Sequence, residues 1–89
     1  MTIEQLLEQL NIVDYPELEN GKLTVFLRDS NVYMRVYEKL ENMDELDSDD
    51  VQLTDKFNVV TYYSDNFYVK LSANYDEDLY TLEISENDK

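Results

Sequence analysis

Hydrophobic and polar positions alternate most regularly between residues 57 and 85, FNVVTYYSDNFYVKLSANYDEDLYTLEIS. β-Branched and aromatic residues fill the run, and Ser64-Asp65-Asn66 and Tyr75-Asp76-Glu77-Asp78 interrupt it with turn-forming side chains. The pattern predicts three strands and two turns. With Asp65-Asn66 as a two-residue loop, Tyr62 faces Val69, Val60 faces Leu71 and Asn58 faces Ala73. With residues 75–78 as a four-residue loop, Leu71 faces Leu82, Val69 faces Ile84 and Ala73 faces Tyr80. Both registers put Val60, Tyr62, Phe67, Val69, Leu71, Leu82 and Ile84 on one face and set Lys70 against Glu83 on the other. A slip of one residue would send the apolar set to solvent.

Upstream the period changes. Ile3, Leu6, Leu7 and Leu10 fall at helical spacing, and Thr2 with Gln5 forms a capping-box pattern, so Thr2–Leu10 is predicted to be a helix. Residues 11–21 form a connection punctuated by Pro16 and by Gly21, the single glycine. Residues 22–38 read as a β-hairpin. Asp29-Ser30 is its loop, Leu23, Val25 and Leu27 face Val36, Met34 and Val32, and Phe26, Tyr33 and Tyr37 lie on the opposite side. Met34, Tyr37, Leu40 and Met43 are also spaced for a helix, but the alternation of Val-Tyr-Met-Arg-Val-Tyr favours a strand. Residues 41–55 then turn acidic. Leu40, Met43 and Leu46 leave room there for one short amphipathic turn.

These elements predict one α+β domain spanning residues 1–89. An N-terminal helix packs on one face of a five-stranded, mostly antiparallel β-sheet (a meander). An acidic linker joins its two parts, and residues 86–89 are expected to fray. A chain of 89 residues suffices for one small core.

Charge alters this picture more than composition does. The chain carries 21 acidic and 7 basic residues, for a net charge of −14. That argues against direct binding to nucleic acid or to an anionic membrane surface. Residues 41–55 contain Glu41, Asp44, Glu45, Asp47, Asp49, Asp50 and Asp55 and no base. In a meander taken in chain order, this linker, the 11–21 connection and Asp76, Glu77 and Asp78 share one end of the sheet. Such clustering opposes folding by self-repulsion, which favours a use for it. Phe26, Tyr33, Tyr37, Tyr63 and Tyr68 would share the non-core face with Thr24, Arg35, Thr61 and Lys70. Tyrosine and arginine are favoured interface residues.

The inventory narrows the chemistry. Cysteine and histidine are absent and glycine occurs once, so thiolate and histidine triads, glycine-rich phosphate loops and the usual zinc sites have no residues to build them. A calcium loop begun at Asp47 would need glycine and glutamate where Gln52 and Asn58 stand. No catalytic residue, metal site or cofactor is expected. No stretch has signal-peptide or membrane-spanning character, so the cytoplasm is the expected compartment, the host's if the chain is phage-encoded.

In size, acidity and tyrosine content the chain is similar to small inhibitors made by phages and mobile elements: anti-CRISPR proteins, anti-restriction proteins and inhibitors of uracil-DNA glycosylase. Several of these mimic DNA. The resemblance is one of bulk properties and implies no particular residue. It implies a non-enzymatic inhibitor that sets carboxylates where phosphates would lie, in the basic groove of a nucleic-acid-binding protein. The acidic candidates are Asp44, Glu45, Asp47, Asp49, Asp50, Asp76, Glu77 and Asp78. The second reading is an immunity or adaptor module that binds a protein through the tyrosine-rich face. The third is a domain whose charge serves solubility. Whether the chain is a monomer or a homodimer is not legible.

Overall fold

A computed structural model describes residues 1–87, and in strand β2 it describes the side chains of Asp47, Ser48 and Gln52 alone. The chain order is α1 (Ile3–Gln9), β1 (Lys22–Leu27), α2 (Ser30–Glu41), β2 (Asp47–Leu53), β3 (Phe57–Tyr63), β4 (Phe67–Asn74) and β5 (Leu79–Glu86). The fold is α+β, with one five-stranded antiparallel sheet in the order β1-β5-β4-β3-β2. Strands β2 to β5 form a meander, and β1 joins it beside β5.

The three predicted strands pair as the alternation requires. Val60 lies opposite Leu71, Tyr62 opposite Val69, Leu71 opposite Leu82, Val69 opposite Ile84, and Lys70 opposite Glu83. Leu23, Val25 and Leu27 of β1 join the same apolar face. Both helices cover it, contributing Leu6, Leu7 and Leu10 from the α1 segment and Tyr33, Val36 and Leu40 from α2. Thr2 caps α1 as expected: its hydroxyl accepts from Gln5 N at 3.1 Å, and Gln5 Oε1 accepts from Thr2 N at 2.8 Å.

Two readings are corrected. The hairpin over residues 22–38 does not form: Lys22–Leu27 is a strand, but Ser30–Glu41 is a helix. Asp29 decides this locally, because its carboxylate accepts from Val32 N at 3.0 Å and caps the first turn. Glu38-Lys39-Leu40-Glu41 then continues with good helix formers. The acidic linker is the second correction, since residues 47–53 are the fifth strand. The two errors share a geometric cause. β1 and β2 lie on opposite edges, so their connection must cross four strand spacings, about 19 Å. A 12-residue helix is about 18 Å long and covers that width. α2 packs across β1, β5 and β4. Its last residue, Glu41, reaches β3 by accepting a 2.6 Å hydrogen bond from Tyr62 Oη. Lys39 of α2 donates to Gln9 O at 3.1 Å and so holds the C-terminal end of α1.

At the chain end, Glu86 N donates to Gly21 O at 2.7 Å and Asn87 N to Asn66 O at 2.9 Å. Residues 88–89 lie outside the described residues.

Candidate acidic interface

The acidic run occupies the free edge of the sheet. Met43 and Leu46 anchor the turn after α2: Leu46 is buried, and its N–H donates to Met43 O at 3.2 Å. Between them Asp44 and Glu45 are exposed. The Glu45 carboxylate lies 3.7 Å from the N-terminal amine of Met1. Asp47 then opens β2, exposed and opposite Tyr63. The register of β2 shifts between Ser48 and Asp50, which leaves Asp49 as the extra residue of a bulge. The side chains of Asp49 and Asp50 lie outside the described residues. Carboxylates and a bulge on an outermost strand both discourage pairing with another sheet edge. Structural protection of β2 therefore accounts for part of the acid.

Asp76, Glu77 and Asp78 do not join this group. They form the exposed turn between β4 and β5, at the end of the sheet where β2 finishes. Asp76 lies 3.8 Å from Lys56 Nζ, and Asn74 Oδ1 accepts from Glu77 N at 3.3 Å. Asp78 takes φ 53°, a left-handed conformation that Asp tolerates. The length of β2 separates this turn from Asp47, about 20 Å at the usual strand rise. The expectation that residues 11–21, the acidic run and residues 76–78 share one end is thus overturned in part: Asp44 to Asp47 and residues 11–21 do lie at one end of the sheet, whereas residues 76–78 lie at the other. Because residues 47–53 form a strand and not a linker, every later strand reverses direction. The 64–66 turn thereby comes to lie with residues 11–21 and the start of β2, as the Gly21–Glu86 and Asn66–Asn87 hydrogen bonds and the Asp47–Tyr63 pairing show. Glu8 of α1 also borders the acidic turn, where Met1, Gln5, Glu8, Gln9 and Glu45 line a shallow depression.

The tyrosine-rich face is corrected as well. Phe26, Tyr63 and Tyr68 do lie on the sheet face that the helices leave open, with Thr24, Thr61 and Lys70. The rings of Tyr63 and Tyr68 are 6.2 Å apart. Tyr33 and Tyr37 belong to α2 on the covered side, and Tyr33 is only 3% exposed. They form a chain of rings: Tyr33 lies 6.5 Å from Tyr37 and 5.5 Å from Tyr80, and Tyr80 lies 6.2 Å from Tyr75. Asn58 Nδ2 donates to Tyr75 Oη at 2.9 Å. Burial, with Tyr75 nearby, raises the Tyr33 phenol above its ordinary pKa. Burial raises Tyr62 further, and its hydrogen bond to the Glu41 carboxylate adds to the effect. Much of the tyrosine content therefore serves the core.

Sequence reasoning missed the Tyr62–Glu41 bond, the ring chain and the Asn20-Gly21 turn. Only the last left a clear local signal, an Asn-Gly pair ahead of an alternating run. Among the described residues, no three Asp or Glu side chains are grouped to hold a metal ion, and no helix is long and apolar enough to cross a membrane. Comparison with protein-family models, with curated proteins and with solved structures gave no match to this chain.

Proposed function

We propose that the protein is a non-enzymatic inhibitor whose acidic edge, residues 44–50, occupies the basic nucleic-acid groove of a target protein. One observation carries the reading. Asp44, Glu45 and Asp47 are exposed on the outermost strand and its lead-in turn, in a stretch with no base between Lys39 and Lys56. An edge strand can enter a groove that a central strand cannot reach. Carboxylates spaced along it replace phosphates on Lys and Arg side chains, and long-range charge speeds the encounter. Asp49 and Asp50 continue the run in sequence. Asp76, Glu77 and Asp78 fall outside this footprint.

A second reading has its own observation. The sheet face away from the helices carries Phe26, 69% exposed, together with Tyr63 and Tyr68, a composition suited to a protein partner. Competition separates the two. Purified basic nucleic-acid-binding domains, each loaded with a fluorescent DNA duplex, are titrated with the protein at several salt concentrations. The acidic-edge reading expects release of duplex from at least one domain, with an affinity that falls steeply as salt rises. Salt-independent capture of a domain that keeps its duplex would favour the open face.

A further inference from the structure

The two edges of the sheet differ. β2 has a bulge and carboxylates; β1 has neither, and its sequence Lys22-Leu23-Thr24-Val25-Phe26-Leu27 is flat and regularly alternating. Glu86 N donates to Gly21 O, while Lys22 exchanges both backbone hydrogen bonds with Glu19, at 2.8 and 3.0 Å. In an antiparallel strand the bonding direction alternates by residue, so Leu23, Val25 and Leu27 bond to β5. The N–H and C=O groups of Thr24 and Phe26 then point outward, and among the described residues no partner meets them. Phe26 is 69% exposed.

The chain supplies a strand in register for this edge. Glu19 and Lys22 flank Asn20 and Gly21, at φ 54° and 77°, the positive pair of a type I′ turn, whose twist suits a two-residue hairpin. Continued from Glu19–Lys22, the pairing sets Glu17 against Thr24 and Tyr15 against Phe26, so each outward group of β1 meets an N–H or C=O. Pro16 falls opposite Val25 at a position whose missing N–H would face away, where an edge strand tolerates proline. The side-chain faces agree too. Leu18 and Pro16 align with Leu23 and Val25 on the core side, and Tyr15 comes beside Phe26 on the open side. In the structure described, the pairing stops after Glu19, and Val13, Tyr15 and Leu18 are 91%, 40% and 41% exposed.

We infer that residues 15–19 close onto β1 as a sixth strand, completing the Asn20-Gly21 hairpin and covering the edge at Thr24 and Phe26. Ile12, Val13 and Asp14 remain as the connector to α1, with roughly 10 Å of reach. The closed strap protects the edge that has no carboxylate and no bulge of its own and leaves the acidic edge as the open one.

Amide hydrogen exchange followed by NMR tests this. Closure slows the Thr24 and Phe26 amides at least tenfold relative to an unstructured peptide, independent of protein concentration, and brings the Tyr15 and Phe26 rings within nuclear Overhauser range. Glu17→Pro removes an N–H that only the closed strap uses, so both amides should speed up while those of Leu23 and Val25 stay slow. Pro16→Ala should leave the protection intact. Exchange of Thr24 and Phe26 at the free-peptide rate would overturn the inference. So would protection that grows with protein concentration, which would place a second copy on the edge, or protection that survives Glu17→Pro.

Discussion

At the scale of single residues, Tyr62 and Glu41 do the most connecting for their size. Tyr62 is buried in β3, yet its hydroxyl reaches the end of α2, and that hydrogen bond ties the crossover helix to β3. Its raised pKa gives the bond a pH signature. Below pH 10 the folded and unfolded chains both keep the phenol proton. Above it the unfolded chain releases the proton while the folded chain retains it, so stability falls as pH rises. The slope is about 1.4 kcal/mol per pH unit for each such tyrosine. Tyr33 is raised in the same direction and adds to the loss. Tyr62→Phe should lower stability at pH 7 by about 1 kcal/mol, the net worth of a hydrogen bond, and flatten the decline above pH 10. Denaturant titrations at pH 7, 10 and 11 check both. An unchanged alkaline slope would mean that Tyr62 ionises in the folded protein as it does in the unfolded chain.

At the scale of elements, the helix–strand ambiguity of residues 30–41 has a direct test. The hairpin arrangement puts Met34 and Val36 together in the core. In the helix Val36 is buried and Met34 is 47% exposed. Met34→Lys should therefore change stability by no more than about 0.5 kcal/mol, whereas Val36→Lys should cost several kcal/mol. Equal large losses in thermal or denaturant unfolding would restore the hairpin. The β4 assignment is tested the same way. Leu71→Asp buries a carboxylate at a fully enclosed position and should cost several kcal/mol, while Thr61→Asp on the open face should be much milder. Similar losses would mean that the two faces are misassigned.

These elements also show what the sequence carries. The registers of β3, β4 and β5 were legible because alternation leaves one solution that puts Val60, Tyr62, Phe67, Val69, Leu71, Leu82 and Ile84 together on the buried face. α1 was legible from its stripe and cap. α2 was not, because Val32 to Tyr37 satisfy both periods, and the competing signal was a single side chain, the Asp29 cap. β2 was not, because Asp47-Ser48-Asp49-Asp50 has the composition of a loop. Its strand state comes from pairing with β3, a tertiary effect that outweighs local preference. The candidate site suffered accordingly. The acidic run 44–50 was visible in the chain, but its position on an edge, and its separation from residues 76–78, followed only from the added strand.

At the scale of the molecule, a net charge of −14 acts everywhere, so loss of any carboxylate weakens attraction to a basic partner somewhat. The proposed function makes a sharper claim: that the charge counts by place. The most direct measurement compares two charge-matched triples in the duplex-displacement titration. Asp47→Asn, Asp49→Asn and Asp50→Asn neutralise the edge strand. Asp76→Asn, Glu77→Gln and Asp78→Asn neutralise the far turn, and Asn tolerates the left-handed backbone at 78. The edge triple should weaken displacement by about tenfold or more, largely through a slower association rate, and make the salt dependence shallower. The turn triple should change affinity by no more than about twofold, with folding intact in both. Equal losses from the two triples would contradict a localised acidic interface, and full activity in the edge triple would remove residues 47–50 from it.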